Sequence, residues 1–246
     1  MTAGPSTGPT ASVPRPHLPR GTVVLLAATL VVIAVALVLP WWSETEVFGP
    51  STWTQAFSPL TGVTAGCSPT CGPLDFGPPS GPLQGTSSFS SVGLDDTGIL
   101  YLTSLGLVLS GAALIGIAIA MSVPGSKEFS SPRGLRTGTA LLSVALLAVA
   151  VGAALLPALQ PSALRADTTS KLSEGNAWTA APSPETSFLG GCQPGPFHGT
   201  CASGGSANWG PGPGWVLLVV AAALLIVVLL RNVPGPERPV ADPSPG

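Results

Sequence analysis

Four cysteines, Cys67, Cys71, Cys192 and Cys201, are the residues whose type and spacing carry the most chemistry in this 246-residue chain. Close thiol pairs either oxidise to disulfides or, as thiolates, hold a soft metal such as zinc. His198 lies between the second pair and would complete such a metal site, but no histidine accompanies the first pair. Disulfides are therefore the expected state. Four cysteines allow three pairings; Cys67 with Cys71 and Cys192 with Cys201 is favoured, and a crossed pattern between the two pairs is the alternative. Asp95 and Asp96 are adjacent acids ahead of an apolar run. Capping and attraction to a helix dipole are their expected roles, with a cation site as the sharper reading. No P-loop, HExxH, GxSxG or paired Cys/His zinc pattern is present. No nucleophile and base can be nominated, so no catalytic residue, cofactor or metal is expected.

The elements that must position these residues are membrane helices. Hydrophobic residues make up 45% of the chain and charged ones 8%, with a mean hydropathy of +0.50, against the usual quarter or so charged in soluble domains. Four stretches, 21–39, 98–121, 138–156 and 215–230, hold no Asp, Glu, Lys, Arg or His. About 20 helical residues cross ~30 Å of hydrocarbon, so the first three suffice. The fourth is short and can recruit Gly214 and Asn232. A cleaved signal peptide would need a shorter apolar run and a small-residue cleavage site, whereas the first run ends in LPWW. Trp41, Trp42, Tyr101, Trp209 and Trp215 read as an interfacial belt.

Orientation follows from the nine basic residues. Arg15, Arg20, Lys127, Arg133, Arg136, Arg231 and Arg238 fall in the tails and the central linker; residues 41–97 hold none and carry Glu44, Glu46, Asp75, Asp95 and Asp96, while residues 157–213 hold Arg165 and Lys171 with three acids. Lys and Arg in short segments stay cytoplasmic. Both termini are expected inside the cell membrane and both long loops, with all four cysteines, outside. Bases this few and scattered exclude nucleic acid as a partner.

The chain also repeats itself. WTQAFSPLTGVTAGC at 53–67 and WTAAPSPETSFLGGC at 178–192 share Trp53/Trp178, Thr54/Thr179, Ala56/Ala181, Ser58/Ser183, Pro59/Pro184, Thr61/Thr186, Gly66/Gly191 and Cys67/Cys192. Chance would supply about one or two matches. Gly21-Thr22 leads to Leu39-Pro40 as Gly138-Thr139 leads to Leu156-Pro157, and VPG follows the second and fourth helices at 123–125 and 233–235. A tandem duplication of a helix, outer loop, helix unit accounts for this common order. Trp53 and Trp178 are expected to anchor equivalent loop modules.

The sequence thus predicts an all-α transmembrane four-helix bundle, built by duplication and topped by a small, disulfide-stapled, partly β extracellular cap. Its parts are a tail (1–20), a first repeat (21–123, with helices 21–39 and 98–121 around the loop 40–97), a linker (124–137), a second repeat (138–233, with helices 138–156 and 215–230 around the loop 157–214) and a tail (234–246). The tails are Pro-rich and expected to be disordered. TEVFGPSTW and GTSSFSSV have strand character bounded by turn residues. Small residues four apart, Gly106 with Ser110, Ala112 with Gly116 and Ala120, and Ala148 with Gly152, are expected helix-packing positions. Tetraspan topology with tryptophans and two cysteines in the first outer loop resembles the claudin-like membrane proteins in outline. The GLW signature of that family is absent and the second loop has its own cysteine pair, so no residue role is carried over. The expected function is non-enzymatic: contact with the lipid bilayer through the helices, and with a protein partner or a second copy through the outer loops. An accessory subunit of a transporter or channel is the alternative.

Overall fold

A computed structural model describes residues 19–68, 85–122, 132–171, 187–193 and 205–232. The helices are α1 (Arg20–Val38), α2 (Asp95–Met121), α3 (Pro132–Lys171) and α4 (Pro213–Asn232). All four are long and apolar enough to cross a membrane. Each turns one stripe inward with alternating steps of four and three residues: Thr22, Leu26, Thr29, Ile33 and Ala36 in α1; Gly214, Leu218, Ala221, Leu225 and Val228 in α4. That near-3.5 period is the seam of a bundle with small crossing angles. Val24, Val31, Leu102, Leu147 and Leu230 point outward and are largely exposed, as lipid-facing side chains should be. The α2–α3 and α1–α4 pairs make the most extensive helix contacts, and α3–α4 and α1–α2 contacts complete the ring.

Outside the bundle lies a six-stranded antiparallel sheet of β1 (Trp42–Phe48), β2 (Ser51–Ser58), β3 (Gly62–Ser68), β4 (Gly85–Ser87), β5 (Gly190–Cys192) and β6 (Ser206–Pro211), in the order β4-β3-β2-β1-β6-β5. The first hairpin turns at Gly49-Pro50, where Gly49 takes φ +57, a conformation glycine adopts without steric penalty. β1 and β2 then pair from Trp42↔Phe57 to Phe48↔Ser51. On its other side β1 pairs with β6, from Trp42↔Pro211 to Val47↔Ser206. One sheet is therefore made from the segments that follow α1 and α3.

This overturns the all-α expectation: the architecture is mixed α/β. The two loops do not form separate small modules on a helical bundle but close a shared ladder. Short polar segments cannot satisfy their own backbone groups, and pairing with each other across the chain does so. The expected strand segments are resolved more finely. Thr45–Trp53 is the first hairpin itself, whereas Gly85–Val92 is β4 followed by a 3₁₀ turn at Ser90–Val92.

Helix α3 also departs from expectation by running 15 residues beyond Leu156, through Pro157 and Pro161. A proline inside a helix has no N–H to give the carbonyl four residues back. For Pro157 that carbonyl belongs to Ala153, and the indole N–H of Trp215 donates to it at 2.8 Å. Leu39, by contrast, is extended at ψ 154 ahead of Pro40 and ends α1.

Candidate functional site

The sheet has two chemically opposite faces. Residues alternate faces along a strand, and register partners share one. One face collects Trp42, Glu44 and Glu46 from β1, Phe57, Gln55 and Trp53 from β2, Val63, Ala65 and Cys67 from β3, and Trp209 and Ala207 from β6. Trp42, Phe57, Val63, Ala65, Trp209 and Ala207 on it are buried. Near the membrane it rests on the outer turn of α2: the Phe57 ring meets Trp42, Phe89 and Tyr101 with centroids 5.0, 5.7 and 6.0 Å away. Tyr101 in turn donates its hydroxyl to Gln160 Oε1 of α3 at 3.2 Å. The segment at Ser187-Phe188 crosses the same face. Its carbonyls accept the indole N–H groups of Trp209 and Trp42, each at 3.0 Å.

Glu44 and Glu46 sit in the middle of this inward face, on a central strand, with Gln55 and Trp53 beside them on β2 and Trp209 and Ala207 on β6. Burial pushes the Glu44 carboxyl up to about 8, and the negative charge of Glu46 adds to the rise. Burial also raises Glu46, against the pull of the hydrogen bond it shares with Glu44. Two carboxyl groups two residues apart on one buried face cannot both ionise cheaply. Glu44, raised further, is the member of the pair that keeps its proton more readily, beside Glu46. The pair can hold and release one proton.

The opposite face is neutral. It presents Thr45 and Val47 from β1, Thr54 from β2, Thr64 and Ser68 from β3, Thr86 from β4 and Asn208 from β6, all exposed, without one charged residue among the described strand residues of that face. The Thr64 and Thr86 hydroxyls lie 3.5 Å apart, and Thr54 donates to the Gly66 carbonyl at 3.3 Å.

Of the four cysteines, Cys67 is on β3 and Cys192 on β5, and each is disulfide-bonded rather than free. They occupy the two ends of one transverse row, Cys67, Trp53, Glu46, Ala207, Cys192. Four strand spacings of about 4.8 Å separate them by roughly 19 Å, well past the ~7 Å Cα limit for a disulfide, so they are not bonded to each other. Cys71, Cys201, His198 and Trp178 lie outside the described residues. Trp53 is half-buried in the inward face beside Glu46. No group of three or more His, Cys, Asp or Glu residues able to hold a metal exists among the described residues.

Asp95 and Asp96 occupy the first turn of α2, where the dipole favours them, but neither caps it. The cap comes from another helix. The buried Asp167 of α3 accepts from the backbone N–H groups of Asp96 and Thr97 at 2.8 and 2.9 Å, and from the Thr97 hydroxyl at 2.7 Å. Among the expected packing positions, Gly152 lies against α2: a Cβ there would come within 3.0 Å of the Ser104 carbonyl oxygen and 3.1 Å of Val108. Ala112, Gly116 and Ala148 are half-buried, whereas Gly106, Ser110 and Ala120 face outward. The close approach of α2 to α3 falls instead at Gly111, where a Cβ would be 2.7 Å from Val149 Cγ2.

The carboxyl pair escapes a reading based on charge counts, which registers Glu44 and Glu46 only as outer acids. A signal for it exists in WSETEVF. A two-residue period puts Trp42, Glu44 and Glu46 on one side, so the acids share the face of a large apolar residue. Asp167 and Gln160 carried no such signal, because both lie in what reads as a loop after Pro157.

No protein-family model matches the chain, and no curated protein matches it significantly.

Proposed function

We propose that the chain is a non-enzymatic, multi-pass membrane protein of the cell membrane that binds a protein partner through the neutral face of its outer sheet. Both termini are cytoplasmic in this reading. The observation that supports it most is the inversion of the sheet: its two glutamates point inward, while the solvent side is an array of threonine hydroxyls and one asparagine amide. Long-lived exposure of such an uncharged surface suits close, water-displacing contact, because no ion has to be desolvated. The apolar helix stripes argue against a pump or ion carrier, which needs ionisable groups at membrane depth. In the described helices, Asp, Glu, Lys and Arg occur only near the ends.

A photoreactive residue at Thr54, with Thr45 left intact, is expected to crosslink one discrete protein in native membranes. T45E in the same background should abolish that adduct without altering the thermal melt. Adducts obtained from Leu147 or Val151 on the lipid-facing helix surface, with none from Thr54, would favour an accessory subunit held through the bundle. No adduct from either surface would reject binding altogether.

A further inference from the structure

A groove of about 500 Å³ opens beside the sheet at the outer end of α2, within the ~300–1,000 Å³ range of small-ligand clefts. The β2–β3 turn (Pro59, Leu60, Thr61) forms one wall, Thr86 to Ser90 the second, and the first two turns of α2 the third. Its lining is divided. Leu60, Ile99 and Leu102 are 54%, 63% and 61% exposed, so large apolar side chains rim the end where the membrane surface of α2 begins. Hydroxyl groups of Thr61, Thr86, Ser88 and Ser90 and the Asp95 carboxylate line the rest. Tyr101, next to Leu102, is buried and stacks on Trp41 at 6.1 Å where the sheet meets the bundle, and the apolar span of α2 begins at this level. A cleft that is greasy towards lipid and polar towards water, at this depth, fits an amphiphile lying along α2.

The charge selects the amphiphile. Among the described residues, Asp95 is the one ionisable residue lining the groove. A helix N-terminus would ordinarily attract phosphate through its free N–H groups, but Asp167 already takes those of Asp96 and Thr97. These two N–H groups are thereby taken, and three carboxylates border the helix end, which favours a cationic group there. We propose that the groove binds an amine-bearing phospholipid of the ethanolamine type from the leaflet on the sheet side. The ammonium meets Asp95, the phosphodiester accepts from the serine and threonine hydroxyls, and an acyl chain runs along Ile99 and Leu102.

The full-length protein, extracted in mild detergent and exchanged into nanodiscs of equal phosphatidylethanolamine and phosphatidylglycerol, can be read by native mass spectrometry for the lipid it retains. Ethanolamine lipid is expected to be retained at least about fivefold over glycerol lipid, as a charge-assisted contact implies. D95N should remove that preference, while D96N, outside the groove lining, should keep it. T61W, which fills the groove from the turn and leaves every charge in place, should remove retention itself; it also carries the test if D95N does not fold. Equal retention of the two lipids by the unaltered protein, or retention unaffected by T61W, would overturn the assignment.

Discussion

At the scale of single residues, the Glu44–Glu46 pair makes the outer sheet sensitive to pH in a direction that can be stated. The folded-state pKa of Glu44, about 8, lies above the ordinary 4.5, so the folded form holds a proton that the unfolded chain releases. The resulting stabilisation is fully present below about pH 4.5, declines as the pH rises, and is gone above about pH 8. Thermal melts followed by tryptophan fluorescence should therefore show a lower midpoint at pH 8.5 than at pH 5.5. E44Q keeps the shape and a donor but cannot ionise. It is expected to raise stability at pH 8.5 by about 1 kcal/mol, discounted for the partial exposure of the pair, and to flatten the pH dependence. A melt equally pH-dependent in E44Q would assign the effect elsewhere. Both acids were visible in the sequence, but their burial depended on which face of β1 turned inward.

At the scale of elements, the two halves of the chain solve one problem in the same way. Pro40 and Pro157 each stand four residues after an alanine, and in each case an indole N–H takes the alanine carbonyl: Trp41 bonds Ala36 at 2.8 Å and Trp215 bonds Ala153 at 2.8 Å. These are the two Leu-Pro steps that the sequence repeats. Beyond them the halves diverge, since α1 stops whereas α3 continues. W215F should orphan the Ala153 carbonyl and cost about 1–3 kcal/mol. P157A restores an N–H able to bond that carbonyl along the helix, so the cost of W215F should shrink in the P157A background, a coupling that a double-mutant cycle measures. Additive effects would mean that the indole bond and the proline are unrelated. The charge-free spans were legible because lipid leaves little freedom in composition. The length of α3 was not, because a proline reads locally as a stop and the indole that takes up the freed Ala153 carbonyl lies 62 residues from it.

At the scale of the molecule, one sheet is shared by the segments that follow α1 and α3. Local strand propensity marked Thr45–Trp53, but β1 and β6 are brought together from positions more than 150 residues apart, and no local pattern encodes such a pairing. Register partners Thr45 and Asn208 share the neutral face, so cysteines placed there must meet. The measurement is disulfide formation by T45C/N208C in intact cells, read as a covalent link between the chain's halves after a protease site inserted between α2 and α3 is cut. The link is predicted to form without added oxidant, and T64C with N208C, three strands apart and also split between the two halves, is predicted not to form one. Absence of the T45C/N208C link in protein that is folded and membrane-inserted would contradict the shared sheet, and with it the inward-facing carboxyl pair and the neutral binding face.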